Sequence, residues 1–369
     1  MQFKYATMPI YMDVHIVPGV KAKDVAEAHR KDLLHQDEHH CKCMTYWIDE
    51  ERENIFCLIE APNKDAVVEM HNKAHGLVPN KVIEVRSELV ESFLGRIYDP
   101  EDAKTTNDGL KVFSDPSFRV LLVTRITDPV LLQHKAGTEK ANEMLNRHNE
   151  IIRNNLQEYG GREVEHSGNG FIISFTSASK AVSCAFAIQR SMENADAIGF
   201  RIAVSGGEPV EKSNKLFGDT IQLAERVCTL VTERQVGITS AVKELVARDH
   251  FQGNNLVATS PNDENLLQLL FSKLEKNWQD PEFSVTDFCQ AMAMSKSQLY
   301  RTTVDLAGFS PNTLLKEFRL AKAKELMKKR RYSISQITFD SGFTSPSYFT
   351  KCFKKKFGLL PMTYLDLLH

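Results

Sequence analysis

Residues 333–364 read SISQITFDSGFTSPSYFTKCFKKKFGLLPMTY. Ile334, Ile337 and Thr338 fall at the i, i+3, i+4 spacing of a buried helix face. Gly342 stands where that helix must stop, and glycine tolerates the left-handed turn that ends a helix. Phe343 then turns back toward the core. Ser345 is placed to cap a second helix, with Pro346 at its first position, where a missing N–H costs nothing. Spacing puts Tyr348, Phe349, Cys352, Phe353 and Phe357 inward, and Ser347, Thr350, Lys351, Lys354 and Lys355 outward. A helix, a glycine turn and a second helix with a basic outer face read as a helix-turn-helix.

A similar unit lies upstream, in SVTDFCQAMAMSKSQLYRTTVDL from Ser284 to Leu306. Ser284 caps a short helix with Val285, Phe288, Ala291 and Met292 inward. After a turn at Met294–Ser295, a second helix exposes Ser297, Gln298 and Arg301 beside Leu299 and Tyr300, which are expected to be buried. Pro311–Lys329, rich in Leu, Ala, Lys and Glu, joins the units as one helix. At ~1.5 Å rise per residue it spans roughly 28 Å. That is close to the ~34 Å between successive major-groove faces of one duplex. From residue 265 on there are 16 Lys+Arg and 9 Asp+Glu, a net +7 within a chain of net −2. Such a local excess fits a phosphate-binding face.

On these residues the C-terminal third, from about Leu266 to His369, resembles the DNA-binding domain of AraC-type transcription regulators. The matching run goes from Ile334 through Gly342–Phe343, Tyr348–Phe349, Phe353–Lys354 and Phe357–Gly358 to Pro361. The resemblance implies an all-α module whose two helix-turn-helix units read adjacent groove segments of double-stranded DNA. The residues expected at DNA are Ser297, Gln298, Arg301, Ser345, Ser347, Thr350, Lys351, Lys354 and Lys355.

The chain has 369 residues and 42% hydrophobic content, enough for two or three cored domains. Seven scattered cysteines, an odd number, exclude a disulfide scaffold and fit a reducing cytoplasm. No apolar run approaches the ~18 residues of a membrane span, and the first residues lack the apolar core of a signal peptide. Two polar stretches, Asp99–Gly109 and Arg248–Glu264, read as linkers. They divide the chain into residues 1–99, 115–250 and 265–369.

Residues 8–98 alternate between strand and helix patterns. Ile10–Val17 places Met12, Val14 and Ile16 on one face and Tyr11, Asp13 and His15 on the other. Lys21–Gln36 is helical, Cys41–Ile48 and Ile55–Glu60 are strands, Asn63–His75 is helical and Val82–Val90 is a last strand. This βαββαβ order is ferredoxin-like, with two helices on one sheet face and the other face open. Seven of the twelve histidines lie before residue 76, joined by Cys41, Cys43 and Cys57. Imidazole and thiolate suit nickel, zinc or copper better than magnesium or calcium. His71 and His75, at i and i+4, can reach one ion. Cys41 and Cys43 share a strand face, with His39 two residues earlier. His15 is expected on the open face, with Asp13 as its outer-shell partner.

The same region resembles a family of small ferredoxin-like proteins described as nickel-binding. The matching residues are Tyr11–His15 (YMDVH), Val17–Pro18–Gly19, Ala28–His29, Tyr46–Trp47, Phe56–Pro62, and His71 with His75. Composition and resemblance together give His15, His29, His39, Cys41, Cys43, His71 and His75 as candidate ligands of a transition metal.

Residues 118–245 carry an α/β pattern. Arg119–Ile126 is a buried strand, Asn142–Tyr159 a helix, and Glu163–Phe175 a hairpin around Ser167–Gly168–Asn169–Gly170. Ser179–Met192 is a helix, Arg201–Gly207 a strand, and Phe217–Thr229 a loop and helix. This pattern is similar to class III nucleotide cyclases, an α/β sandwich. The carriers are Gly160–Gly161, Gly168–Asn169–Gly170, Arg201–Glu208 (RIAVSGGE), Phe217–Gln222 (FGDTIQ) and Arg226. The resemblance implies two aspartates holding catalytic metal ions. Arg125 and Asn169 stand in their places, and a cation and an amide cannot hold two metals. Glu165 and Gln222 replace two further family residues, the usual Lys and Asn, and Arg226 is kept. Gln222 and Arg226 are the remaining candidate ligand contacts, and pairing of such domains implies a homodimer.

The leading reading is thus a cytoplasmic regulator without enzyme activity, in which a metal sensor and a cyclase-like domain modulate a DNA module. One alternative is an active or substrate-altered cyclase fused to a DNA-binding tail. Another is a metal buffer or protein-interaction domain at the front.

Overall fold

In a computed structural model the chain is described from Met8 to Leu368, apart from Asp108, Thr127, Asn169, residues 194–197, Arg234 and residues 248–254. Its first layer comprises β1 (Ile10–Ile16), α1 (Ala22–His35), β2 (Lys42–Asp49), β3 (Asn54–Glu60), α2 (Lys64–Ala74), β4 (Lys81–Val85) and α3 (Ser87–Leu94). The strands form an antiparallel sheet in the order β2-β3-β1-β4. The stretch Val82–Val90 does not stay extended to its end. β4 stops at Val85, and Val90, Phe93 and Leu94, at i, i+3, i+4, bury one face of α3.

Strand alternation sets the two faces of this sheet. Tyr11, Cys57 and Ile59 pack with Val25, Ala26, Val67 and Met70 of α1 and α2. Met12, Val14, Trp47, Phe56 and Leu58 point the other way, and that face is not open. It packs on the second sheet of the chain, against Leu121, Val123, Ile172 and Ala203. The short hairpin β5 (Lys104–Thr105) and β6 (Lys111–Val112) leads into that second sheet.

The second layer contains β7 (Arg119–Ile126), α4 (Pro129–Ala136), α5 (Thr138–Tyr159), β8 (Arg162–Ser167), β9 (Gly170–Phe175) and α6 (Ala178–Glu193). It continues with β10 (Phe200–Gly207), α7 (Gly218–Leu230), β11 (Val236–Ile238), α8 (Ser240–Leu245) and β12 (Leu256–Ala258). The sheet order is β12-β11-β10-β7-β9-β8. One face carries α5 and α6, and the other holds α7 and the N-terminal sheet. Each fully buried large apolar side chain contributes roughly 1.5–3 kcal/mol. The seam buries Met12, Trp47, Phe56, Leu121 and Val123 almost completely, so it behaves as a shared core.

Polar contacts reinforce the seam. Arg119 donates to the carbonyls of Phe93 and Leu94 at 3.2 and 3.1 Å, satisfying the C-terminal end of α3. Lys81 on β4 donates to the carbonyls of Glu211, Lys212 and Ser213 at 2.7, 2.8 and 2.7 Å.

The last part is all helical: α9 (Pro261–Asn277), α10 (Val285–Met292), α11 (Lys296–Ala307), α12 (Pro311–Lys328), α13 (Ile334–Asp340), α14 (Pro346–Phe357) and α15 (Pro361–Asp366). Of the stretch read as a linker from Arg248 to Glu264, residues 248–254 lie outside the described residues, and the rest supplies β12 and, capped by Ser260, the start of α9. Two cores flank α12. Leu270, Phe288, Leu299 and Leu315 form one; Leu320, Ile337, Phe349, Phe353 and Tyr364 form the other. Gly342 is needed twice over: its φ is 76°, and a Cβ there would lie 2.2 Å from the Trp278 carbonyl.

Candidate metal centre and nucleic-acid interface

The metal candidates gather between β1, β3 and the two helices. Asp13 and His15 lie on the helix-covered face of β1, not on the far face expected for His15. In the β1–β3 ladder Asp13 stands opposite Cys57, whose backbone N–H donates to Asp13 Oδ1 at 3.2 Å. His71, on the buried side of α2, reaches down so that Nε2 lies 2.9 Å from Asp13 Oδ2. Its Nδ1 lies 3.1 Å from Asp32 Oδ1 on α1, and His75 Nε2 is 3.1 Å from that same oxygen. His15 Nε2 is 3.3 Å from Asp13 Oδ1.

These residues form two groups sharing His71. Asp13, His15, Cys57 and His71 present one ligand atom each within 4.8 Å of one another, all buried; Asp32, His71 and His75 are equally close, with His75 half-buried. Burial opposes the charge on His71, but Asp13 and then Asp32 outweigh it and push its pKa up to about 10. Burial likewise opposes ionisation of Asp13, yet His71 and His15 hold its carboxyl well below the usual range. Burial, with Asp13 and Asp32 nearby, pushes the Cys57 thiol well up. The donor set of carboxylate, imidazole and thiolate fits a borderline-soft divalent ion, since a cation would neutralise the buried acids and favour the thiolate.

Of the seven candidate ligands, His15, His71 and His75 belong to these groups. His29 lines the same small cavity, with Nε2 3.7 Å from Asp99. His39 faces Glu69 at 3.8 Å, and the Cys41 thiol donates to the His39 carbonyl at 3.5 Å. Cys43 is packed in the helix-side core with its thiol pushed up by burial. None of these last three joins a cluster among the described residues. Sequence reasoning did not select Asp32 and Cys57 as ligands and gave Asp13 only an outer role. The parity of Tyr11, Asp13 and His15 with the helix-covered face was the available signal for Asp13. Asp32, three residues after His29 on the inward side of α1, offered a weaker one.

The DNA candidates lie on α11 and α14 or at the N-terminal cap of α14. Ser295 and Ser345 cap α11 and α14, accepting from the backbone of Gln298 and Tyr348. Ser297, Gln298 and Arg301 are exposed on α11, as are Ser347, Lys351, Lys354 and Lys355 on α14; Thr350 and Ser345 are half-buried. Two inward assignments fail. Tyr300 is 54% and Tyr348 53% exposed, because each begins the solvent side of its helix next to a buried Leu299 or Phe349. Both add aromatic surface to a basic face.

The two cyclase-like candidates are neighbours on α7, with Arg226 Nη2 donating to Gln222 Oε1 at 3.4 Å. Gln222 lies at a cavity on the domain seam, while Arg226 stacks 5.4 Å from the Phe271 ring of α9. Arg125 is paired with Glu225. Asn169 lies outside the described residues. On the far side, Asp128 at the start of α4 accepts from Lys324 and, at 2.8 Å, from the Tyr364 hydroxyl. The middle layer therefore grips the helical module through Arg226 and Asp128, and also through Ser240 of α8, which donates to Glu264 of α9 at 2.9 Å.

Such a chain is a multidomain protein, with a ferredoxin-like layer, an α/β layer and a double helix-turn-helix. The family models give its two ends: residues 288–366 match "Helix-turn-helix domain" and residues 11–85 match "Nickel responsive protein SCO4226-like". Residues 288–366 thus carry an AraC-type helix-turn-helix domain, and residues 11–85 are similar to the nickel-responsive SCO4226-like proteins. It is 37% identical over 108 residues to histidine kinase P4 of Formosa agariphila, covering 29% of this chain and 8% of that protein. It is 28% identical over 123 residues to the HTH-type transcriptional activator RhaR of Escherichia coli K12, covering 33% and 43%. The chain thus spans less than half the length of either relative. An adenylate cyclase structure from Trypanosoma brucei aligns at 15% identity over 37% of this chain and 78% of that one, with a TM-score of 0.33. Among the described residues no helix is long and apolar enough to cross a membrane.

Proposed function

We propose that this protein is a cytoplasmic transcription regulator that binds double-stranded DNA through α11 and α14 and responds to a transition metal held beside His71. The observation that carries the reading is the buried group Asp13, His15, Cys57 and His71, backed by Asp32 and His75. A buried set of this kind is costly unless it is paired or holds an ion. Asp13, His15, Cys57 and His71 would hold the metal, nickel in the first instance, and the ion would supply the positive charge that the acids already attract. His29, His39, Cys41 and Cys43 take no direct part in this version. Calorimetric titration of the untagged full chain with nickel, zinc and copper in competition tests it, with copper tightest in vitro. Unchanged affinity and stoichiometry in the His71→Ala variant would remove the assignment.

The middle layer serves in this reading as a non-catalytic connector. The ion pair of Arg125 with Glu225 supports it, since the guanidinium fills a position where a cyclase would need a metal-binding carboxylate. No cyclic nucleotide is expected from ATP or GTP with Mg²⁺ or Mn²⁺. Turnover that disappears in Arg226→Ala would favour the cyclase alternative. A homodimer through the middle layer would use its helix-covered side, because the N-terminal sheet fills the other face. Sedimentation of the full chain tests that pairing.

A further inference from the structure

We infer that the seam between the two sheets is a binding site for a small uncharged molecule with an apolar ring body and a hydrogen-bonding edge. A cavity of about 530 Å³ opens there, between β4 and α3 on one side and β8, β9 and α7 on the other. That size lies within the range of small-molecule sites, which gather at domain interfaces. Neither layer encloses it alone.

Its chemistry is divided. Phe93, Ile172 and Leu216, all buried, form an apolar floor with Leu89 and Ile221 beside it. The rim offers the amides of Asn214 and Gln222 as paired donors and acceptors. Three cations and three carboxylates also border it, so their formal charges cancel. One pair of them, Arg125 and Glu225, is already joined. A phosphorylated or otherwise strongly anionic ligand would meet Glu84, Glu165 and Glu225, and a cation would meet Arg86, Arg125 and Lys215. An uncharged molecule with an apolar body meets neither obstacle and removes apolar floor from water.

The site is also placed to affect the DNA module. Gln222 and Glu225 line the cavity from α7, and Arg226 on the same helix stacks on Phe271 of α9. Arg226 Nη2 also donates to Gln222 Oε1 at 3.4 Å. A ligand that engages the Gln222 amide competes for that oxygen and so touches the contact that holds α9.

The test titrates the full chain with Nile red, an uncharged dye with an apolar ring body, and in parallel with the anionic dye 8-anilinonaphthalene-1-sulfonate. One saturable Nile red site per chain is expected. Leu89→Trp fills the cavity from α3, and Gln222→Trp, at an exposed position, blocks it from α7. Each should weaken Nile red by about tenfold or more with an unchanged melting curve. Absence of a saturable Nile red site, retention of affinity within about threefold in Gln222→Trp, or tighter binding of the anionic dye would each overturn the inference.

Discussion

Asp128→Asn should loosen the helical module from the middle layer. The Asp128 side chain is 7% exposed and accepts from both the Lys324 ammonium and the Tyr364 hydroxyl. Lys324, with 22% of its side chain exposed, lies over the rings of Phe357 and Tyr364 at 4.8 and 5.9 Å, so it has little water to fall back on. A hydrogen bond to a charged group contributes about 1.5–3 kcal/mol. Asparagine keeps the shape and also the cap on α4, where Asp128 accepts from the Val130 N–H at 3.1 Å. The charge on Lys324 loses its counterion, and with the amide oxygen kept on the cap the NH₂ group offers neither Lys324 nor Tyr364 an acceptor. The expected loss is about 2–3 kcal/mol, and Asp128→Ala should add about 1 kcal/mol for the cap. With three layers a single unfolding transition is not assured, so the reading belongs to native-state hydrogen exchange in α4, α12 and α15. Opening there should rise roughly 30–150-fold, since 1.4 kcal/mol is tenfold. In a cycle with Lys324→Met, the second change should cost much less than it does alone. Exchange unchanged within about threefold, or additive effects of the two substitutions, would refute the reasoning.

His148 is buried on α5 with neither ring nitrogen bonded among the described residues, and burial lowers its pKa to about 4. The folded state therefore refuses a proton that the unfolded chain accepts from about pH 6.5 downward. That part of the stability is complete above pH 6.5 and lost as pH falls toward 4, to about 2 kcal/mol by pH 5. His148→Phe should remove this acid sensitivity, which urea unfolding at pH 7 and pH 5 would reveal. Arg301→Ala should cost about 1–3 kcal/mol on specific DNA and relax base preference, whereas Lys355→Ala should weaken all sequences alike and flatten the salt dependence; anisotropy titrations in varied salt separate the two. Lys81→Met should expose the 211–213 loop to protease, because three carbonyls lose their common donor. A cleavage pattern like that of the wild type would count against Lys81 as a strut.

The helix-turn-helix units were legible because local signals agree there. Capping serines, the glycine turn and helical spacing all act within a few residues, and the recognition faces follow from them. The ferredoxin-like order was legible for the same reason, from alternation and turn residues. What could not be read depended on contacts distant in the chain. The sheet face carrying Met12, Val14 and Phe56 is apolar whether it is expected to be open or covered. Its partner, Leu121 and Val123, lies more than sixty residues on. The candidate metal centre shows the same limit. His71 and His75 are visible as an i, i+4 pair, but Cys57 enters through strand register and Asp32 through the packing of α1 on α2. A dense run such as His39–Cys41–Cys43 looks more like a site in sequence than the scattered set that meets in space. The end of β4 failed because Val85–Val90 satisfies both strand and helix periods, and packing of Phe93 and Leu94 on the second sheet decides for helix.

In the proposed function, metal at the His71 cluster and DNA at α11 and α14 are coupled. The most direct test is the affinity of the untagged full chain for a duplex obtained by selection from random DNA, measured by anisotropy with metal removed and with nickel at saturation. Calorimetry on the same samples should confirm occupancy. A change of at least about tenfold, ~1.4 kcal/mol of coupling, is expected, lost in His71→Ala. Equal DNA affinity with and without bound nickel would contradict it.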